Sequence, residues 1–162
     1  VTIAFIVSLR PSFEDLTGPA VEVGDQAPEF SLMSESGQPI QLKDFHGKFL
    51  ILNFWATWCP PCVEELPSLE RFHSQFASRG VVVLGVSEDE DRAAYEQFLQ
   101  KAGVQFQTVR DPNRKVSHLY GTFKYPETYF IDGNGKVVQK VIGPTNWTDP
   151  RMTGFMEQLL RS

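Results

Sequence analysis

The most informative part of the sequence lies between residues 49 and 62, which read Phe49-Leu50-Ile51-Leu52-Asn53-Phe54-Trp55-Ala56-Thr57-Trp58-Cys59-Pro60-Pro61-Cys62. The first eight residues form an almost unbroken apolar run, which is typical of a central β-strand buried on both faces. Apolar residues then recur at helical spacing up to Phe76, and we expect Gly80 to end that helix. A second apolar run over residues 81–86 completes a strand–helix–strand unit with two parallel strands.

The flanking segments extend this unit into one α/β domain. Two β-hairpins are predicted, around Ser36-Gly37-Gln38-Pro39 and around Asp132-Gly133-Asn134-Gly135, because turn-forming residues there separate apolar strands. The other expected elements are helices over 91–102 and 113–120, a short strand over 104–109, and a last helix opened by Asp149-Pro150.

The composition is that of an ordinary globular domain. The chain has 162 residues, of which 41% are hydrophobic and 22% charged, so it can bury a core of its own. The net charge is −5 and no Lys/Arg-rich run occurs, so a nucleic-acid partner is not expected. The two cysteines are too few and too closely spaced for a disulfide framework that holds a fold together.

The N-terminal residues 1–9 are nearly all apolar, and Arg10-Pro11 ends the run. The run is shorter than the roughly 20 residues that span a bilayer. Two interpretations stay open: the tail of a signal anchor whose start is missing, or a buried N-terminal strand. We therefore divide the chain into an anchor remnant and linker over residues 1–21 and a domain over residues 22–162.

The two cysteines are candidates for a redox-active pair, because the preceding strand ends just before Cys59 and places it at the N-terminus of a helix. Free backbone N–H groups and the helix dipole favour a thiolate at that position. Pro60 and Pro61 are tolerated in a first helical turn, and Cys62 follows one turn later, so the two sulfurs can close a disulfide. We expect Cys59 to attack a partner's disulfide and Cys62 to resolve the mixed disulfide, with no cofactor beyond the pair.

Metal and haem sites are poorly supported by the sequence. Zinc requires four ligands, and the three histidines, His46, His73 and His118, show no ligand spacing. Covalent haem attachment requires His directly after the second cysteine, where this chain has Val63. A Cu(I) site formed by the two thiolates stays open.

Residues 22–161 resemble the thioredoxin-fold proteins of the TlpA/ResA/DsbE (CcmG) type. The resemblance rests on the opening segment at residues 23–30, the active-site stretch at residues 53–62, Pro67 in the following helix, and Tyr125-Pro126-Glu127-Thr128 near the second hairpin. It implies a thioredoxin-like fold: a mostly parallel mixed sheet flanked by helices, with an N-terminal β-hairpin extension and Cys59 exposed. It also implies that Pro126 is cis and places the backbone of Tyr125 where a partner's strand can pair with it.

The resemblance also carries expectations about partners and location. Protein thiols and disulfides would be the substrates, contacting Trp58, Pro60 and Pro61 beside Cys59, and an upstream donor would supply electrons. Proteins of this type face the periplasm or the outer surface of the membrane through an N-terminal anchor, and many act as reductants, for instance before haem attachment to cytochrome c. We expect a monomer whose contact with the membrane is confined to the anchor.

Some members of this type carry an acidic residue near the cysteines that assists proton transfer. By position after the second strand, Glu90 is the best match and Glu88 the second. A functional Glu90 should be buried near Cys62 with a raised pKa. The alternative is that the run Glu88-Asp89-Glu90-Asp91 only supplies favourable negative charge at a helix N-terminus.

Two other functions remain as alternatives to a disulfide reductase. Peroxiredoxins share the fold, but their motif places Thr three and Pro seven residues before the reactive cysteine, where this chain has Ala56 and Leu52. A non-enzymatic Cu(I) carrier would use both thiolates, but related copper-handling proteins separate their cysteines by three residues and add a distant His.

Overall fold

The computed structural model describes residues 20–162 as a five-stranded sheet with helices on both faces and a separate two-stranded hairpin. The elements in chain order are β1 (Ser31–Met33), β2 (Pro39–Gln41), β3 (Phe49–Trp55), α1 (Pro60–Phe76), β4 (Val81–Ser87), α2 (Arg92–Ala102), β5 (Gln107–Arg110), α3 (Lys115–Tyr120), β6 (Glu127–Ile131), β7 (Val137–Ile142) and α4 (Pro150–Arg161).

The large sheet has the strand order β5-β4-β3-β6-β7. Strand β3 runs parallel to β4 and antiparallel to β6, so it lies at the centre of a mixed sheet. In this register Asn53 is opposite Gly85 on one side and Thr128 on the other. The apolar run that predicted a doubly buried strand is therefore the middle strand, and its C-terminal end leads directly into the cysteine pair.

The side chains of β3 alternate between two hydrophobic cores. Leu50, Leu52 and Phe54 pack in the core that includes the hairpin and α3. Ile51 and Trp55 pack in the other core, to which α1, α2 and α4 contribute their buried faces. This alternation follows from the period of two along a strand, and it explains why nearly every residue of β3 is apolar.

The thioredoxin-like fold class predicted from the sequence is confirmed, with differences at several element boundaries. The strand expected over 104–109 begins only at Gln107, because the backbone N–H groups of Gln105 and Phe106 both donate to Glu70 and hold the chain away from the sheet. Helix α1 ends at Phe76, and a short 3-10 turn continues to the left-handed Gly80.

The anchor remnant predicted over residues 1–9 lies outside the residues that the structure describes. Within residues 20–162, no helix combines the length and the apolar character needed to cross a bilayer.

Candidate active site

The cysteine pair occupies the start of α1. Cys59 is the N-cap residue with an extended backbone, Pro60 and Pro61 fill the first two helical positions, and the backbone N–H of Cys62 donates to Cys59 Sγ at 3.4 Å. The two cysteines are joined in a disulfide, with their Cα atoms 5.3 Å apart. An amide that donates to Cys59 Sγ at a helix N-terminus favours the thiolate once the disulfide is reduced.

The expectation that Cys59 is exposed is wrong for this disulfide state. Cys59 is 6% exposed and Cys62 1% exposed, so both count as buried although Cys59 is the more accessible. The segment before β6 covers Cys59, because the carbonyl oxygen of Tyr125 lies 3.8 Å from its sulfur. Cys59 is therefore the more accessible of the two cysteines in this state.

The peptide bond between Tyr125 and Pro126 is cis, as the resemblance implied. Pro126 is buried and its carbonyl accepts a hydrogen bond from Gly143 at the end of β7. Tyr125 is half-buried, and its carbonyl is the group beside Cys59. The structure therefore brings together the cysteines at residues 59 and 62 and the proline segment at 125–126, which are more than sixty residues apart in sequence.

Exposed apolar side chains lie on both sequence segments of the site. Trp58, next to Cys59, is 57% exposed, so its ring is accessible for the substrate contact expected of it. Phe123, two residues before Tyr125, is 58% exposed, and Leu119 of α3 is 48% exposed. Sequence reasoning did not identify Phe123 or Leu119, because an apolar residue near a helix end is usually part of the core.

Glu65 is a buried acid on the helix that carries the cysteines, and sequence reasoning missed it. It follows Cys62 by three residues, which places both on one face of α1. Its carboxylate accepts hydrogen bonds from Asn53 Nδ2 at 3.0 Å, Thr145 N at 3.1 Å and Trp147 Nε1 at 3.2 Å. Burial raises the pKa of Glu65 above its ordinary value, and the three donors oppose that rise.

A signal for Glu65 was present in the sequence. The buried face of α1 consists of residues at helical spacing, and the only charged residue among them is Glu65. Trp147 is fully buried, stacks on Phe130 at 5.8 Å between ring centroids, and donates to Glu65. Asn53 also donates to Thr128 Oγ1 at 2.9 Å, which connects Glu65 with the strand that follows Pro126.

Glu90 was the first choice for an acid that assists proton transfer, which required it to be buried near Cys62. The structure does not bury it. Its side chain is exposed, and the contact recorded for it is made by its backbone carbonyl, which accepts from Arg110. Glu88, the second choice, is 1% exposed. Glu88 is buried and Glu90 is exposed because β4 ends at Ser87, and the amide of Glu88 still donates to the carbonyl of Trp55. This hydrogen bond turns the Glu88 side chain inward.

The environment of Glu88 raises its pKa to about 7, chiefly through burial, with a smaller contribution from the nearby negative charge of Asp111. Arg114 opposes the rise, since its Nε lies 3.2 Å from Glu88 Oε2. Within residues 20–162, neither oxygen of Glu88 receives a well-aligned hydrogen bond. Glu88 interacts with the side chain of Tyr125 and therefore lies beside the segment that covers Cys59.

The other two acids of the run have structural functions. Asp89 is buried and accepts hydrogen bonds from the backbone and the hydroxyl of Thr57, which fixes the turn between β3 and Trp58. Asp91 is the N-cap of α2 and accepts from Ala94 N at 3.0 Å. The alternative interpretation, that the run supplies favourable negative charge at a helix N-terminus, therefore applies to Asp91. Glu88 and Asp89 are instead buried in the interior.

In the part of the chain from residue 20 onward, no group of three or more His, Cys, Asp or Glu side chains is placed to hold a metal ion.

Comparison with known proteins gives consistent results. Residues 23–140 match the model of the AhpC/TSA family. The thiol-disulfide oxidoreductase ResA of Bacillus thuringiensis (strain Al Hakam) is 32% identical over 139 residues, covering 86% of this chain and 79% of that protein. ResA of Bacillus subtilis (strain 168) is 38% identical over 124 residues, covering 76% and 69%. A crystal structure described as a DsbE thiol:disulfide interchange protein from Chlorobium tepidum superimposes with a TM-score of 0.77 at 29% identity, covering 88% and 98%.

Proposed function

The chain belongs to the AhpC/TSA family and is a thiol-disulfide oxidoreductase of the ResA type, and on this basis we propose that it reduces protein disulfides outside the cytoplasm. The observation that carries the proposal is the disulfide-bonded pair at the start of α1, with the sulfur of Cys59 against the Tyr125 carbonyl. A disulfide at this position can be formed and reduced reversibly. The more accessible cysteine of the pair faces the segment where a partner would dock.

The reaction begins with Cys59 in the reduced enzyme. The Cys59 thiolate attacks one sulfur of the partner's disulfide, and the other sulfur leaves with the electron pair and takes up a proton from solvent. Cys62 then loses its proton and attacks Cys59 Sγ, which releases the partner's second sulfur as a thiolate and closes the Cys59–Cys62 disulfide. Two electrons pass from the cysteine pair to the partner.

We assign Glu65 as the group that accepts the proton of Cys62. It is buried on the same face of α1, one turn away, and its raised pKa brings it closer to neutral pH, where a carboxylate is a more effective base. The donors from Asn53, Thr145 and Trp147 hold the carboxylate in place.

The partner is a protein segment that presents a disulfide in an extended conformation. The Tyr125 backbone beside Cys59 would pair with that segment, while Trp58, Pro60 and Pro61 would contact the side chains that flank the partner's cysteine. The exposed Trp58 ring supports this arrangement, because a large apolar side chain beside a reactive sulfur favours desolvated contacts.

Several further features of the function follow from the resemblance to ResA- and DsbE-type proteins. We propose an extracytoplasmic location, an anchor formed by the apolar residues 1–9 within the segment 1–21, an upstream donor that re-reduces the pair, and action as a monomer. Maturation of cytochrome c is one process that such a reductant would serve, and residues 22–162 would carry the whole of the chemistry.

The test uses the two single-cysteine variants. Cys59→Ser should abolish the reduction of a protein disulfide such as that of insulin, whereas Cys62→Ser should accumulate a mixed disulfide with the partner. Expression of Cys62→Ser in the native host and identification of the captured protein would name the partner. Reduction that survives Cys59→Ser, or a reduction potential as oxidising as about −120 mV, would refute the proposal.

A further inference from the structure

A cleft opens on the side of α1 where Glu65 lies. It has a volume of about 350 Å³ and lies between α1 and the loop that precedes α4. Glu65 and Ser68 contribute to its inner wall, and the largely exposed residues Glu64, Arg71, Pro144 and Asn146 form its rim. A water molecule occupies about 30 Å³ in the liquid, so a polar cleft of this size accommodates several waters.

We propose that this cleft is the route by which Glu65 exchanges its proton with solvent while a partner covers the cysteines. The proposal rests on the assignment of Glu65 as the acceptor of the Cys62 proton. It adds a second opening to the site: electrons pass through the face that carries Cys59, and the proton leaves along the side of α1.

The front of the site offers the proton no exit during the step in which it is released. Cys62 is 1% exposed and Cys59 6% exposed even without a partner. In the mixed disulfide the partner is bonded to Cys59, whose sulfur lies beside the Tyr125 carbonyl, so we expect the partner to cover the remaining access to Cys62. A proton accepted by Glu65 therefore needs a path that the partner does not block.

The cleft extends along α1 away from Cys59. Glu64, Ser68 and Arg71 follow one another at helical spacing and form one stripe along the helix. With a rise of about 1.5 Å per residue, the near end of the cleft at Glu64 lies about 8 Å along the axis from Cys59, and the far end at Arg71 about 18 Å. The loop across the cleft supplies Thr145, whose backbone N–H donates to Glu65 Oε2 at the wall. One carboxylate oxygen thus lies on the side of the cleft, and the other contacts Asn53 of β3.

The proton and the electrons balance in this scheme. Cys62 S–H transfers its proton to the Glu65 carboxylate, and the Cys62 thiolate attacks Cys59 Sγ and displaces the partner's sulfur with its electron pair. Neutral Glu65 then transfers the proton to water in the cleft and returns to the carboxylate. The partner's thiolate takes a proton from bulk solvent after it has left.

The experiment fills the cleft without touching the cysteines or Glu65. Reduced Glu64→Trp/Arg71→Trp enzyme is mixed with oxidised insulin, which covers the front, and with glutathione disulfide, which leaves it more open. Rapid acid quench separates the formation of the mixed disulfide from its resolution. Gln75→Trp is the matched control, because residue 75 is exposed on α1 and does not line the cleft.

Resolution with insulin should slow at least about tenfold in the filled variant, a modest part of the roughly 100-fold or greater effect of a positioned proton acceptor. The rate at which the filled variant forms the mixed disulfide should equal that of the wild type. Gln75→Trp should match the wild type in both formation and resolution. Resolution with glutathione disulfide, which leaves the front more open, should show a smaller defect. If the double variant does not fold, Arg71→Phe alone is used in the same assay.

The outcomes separate this inference from the proposed function. Resolution at the wild-type rate in a folded cleft-filled variant, together with slow resolution in Glu65→Gln, would overturn the exit route and leave the role of Glu65 intact. Wild-type resolution in Glu65→Gln would overturn the role of Glu65 and the exit route with it, but not the roles of the two cysteines.

Discussion

Asn53 Nδ2 donates to Glu65 Oε1 at 3.0 Å and so connects the central strand of the sheet with the buried acid of the active-site helix. The same nitrogen donates to Thr128 on β6, so one amide holds α1, β3 and the strand after Pro126 in a fixed relationship. Because a donor to a carboxylate favours its charged form, Asn53 also keeps the pKa of Glu65 lower than burial alone would make it.

Replacement of Asn53 should therefore affect both stability and the pH profile. Asn53→Ala removes a donor from Glu65, so the pKa of Glu65 should rise and the pH dependence of mixed-disulfide resolution should move to higher pH. The free energy of unfolding should fall by about 1–3 kcal/mol, because a buried polar group loses its partner. Rapid-quench rates between pH 5 and 9 and urea titration of the oxidised protein measure the two effects. A pH profile identical to that of the wild type would contradict the role given to the amide.

Trp147→Phe removes a second donor while it keeps the aromatic stacking on Phe130. We expect the pKa of Glu65 to rise, with a loss of stability of about 1–2 kcal/mol from the missing hydrogen bond. Trp55→Phe is the matched control, since Trp55 Nε1 donates to Thr108 rather than to Glu65. The control should lose similar stability and leave the pH profile of resolution in place. Equal shifts of the pH profile of resolution in both variants would mean that the indole of Trp147 acts through packing alone.

Glu65→Gln should change how stability depends on pH. Since the pKa of Glu65 is raised in the folded protein, the folded state holds the proton more tightly than the unfolded state. Its contribution to stability is fully present below about pH 4.5 and is lost as the pH rises through the folded pKa. The slope of this loss is at most about 1.4 kcal/mol per pH unit, because one proton is involved. The Gln variant should lack this part of the slope in urea titrations of the oxidised protein, and an unchanged slope would contradict the raised pKa.

Glu88 gives a separate prediction through Arg114. Arg114→Met removes the cation that opposes burial, so the pKa of Glu88 should rise above its value of about 7. Titration of the Glu88 carboxyl by ¹³C NMR of selectively labelled protein measures the shift. Arg92→Met is a suitable control, because Arg92 pairs with Glu35 and Glu96 and should leave Glu88 unaffected. A lowered pKa in Arg114→Met would show that the ion pair does not stabilise the charged form.

Phe123 tests the docking surface. Phe123→Ser should raise the KM for a protein disulfide several-fold, because an exposed apolar ring near the site loses its contact with the partner, and it should change stability by less than about 0.5 kcal/mol. Met33→Ser is the control, since Met33 is 61% exposed and also apolar but lies on strand β1 of the separate hairpin. Equal KM values for the two variants would remove Phe123 from the docking surface.

The parts of the fold that depend on local sequence were predictable. The central strand, the helix behind the cysteines and the hairpin turns each follow from a pattern within about twenty residues. The identity of the reacting cysteines also follows from such a pattern, since the strand before Cys59 and the prolines after it place the pair at a helix start. The cis bond at Pro126 was reached only through the family resemblance and was confirmed.

The parts of the site that depend on distant contacts were not predictable in the same way. The hydrogen bond from Trp147 to Glu65 joins residues 82 positions apart, and no periodicity signals such a pair. The choice between Glu90 and Glu88 depended on where β4 ends and how the chain turns afterwards. That turn is set by the amide of Glu88, which still bonds to Trp55, and by Asp89, which bonds to Thr57. The sequence alone contains neither contact in a recognisable form.

The four consecutive acids at residues 88–91 have a consequence for how this protein can evolve. Each carboxylate has a different environment. Glu88 lies beside Arg114, Asp89 accepts hydrogen bonds from Thr57, Glu90 is exposed to solvent, and Asp91 caps α2. Deletion of any one of them would leave a run that is still entirely acidic, yet it would displace the remaining side chains from their places. The segment should therefore accept substitutions at Glu90 while it rejects insertions and deletions of a single residue, so its length is constrained more tightly than its charge.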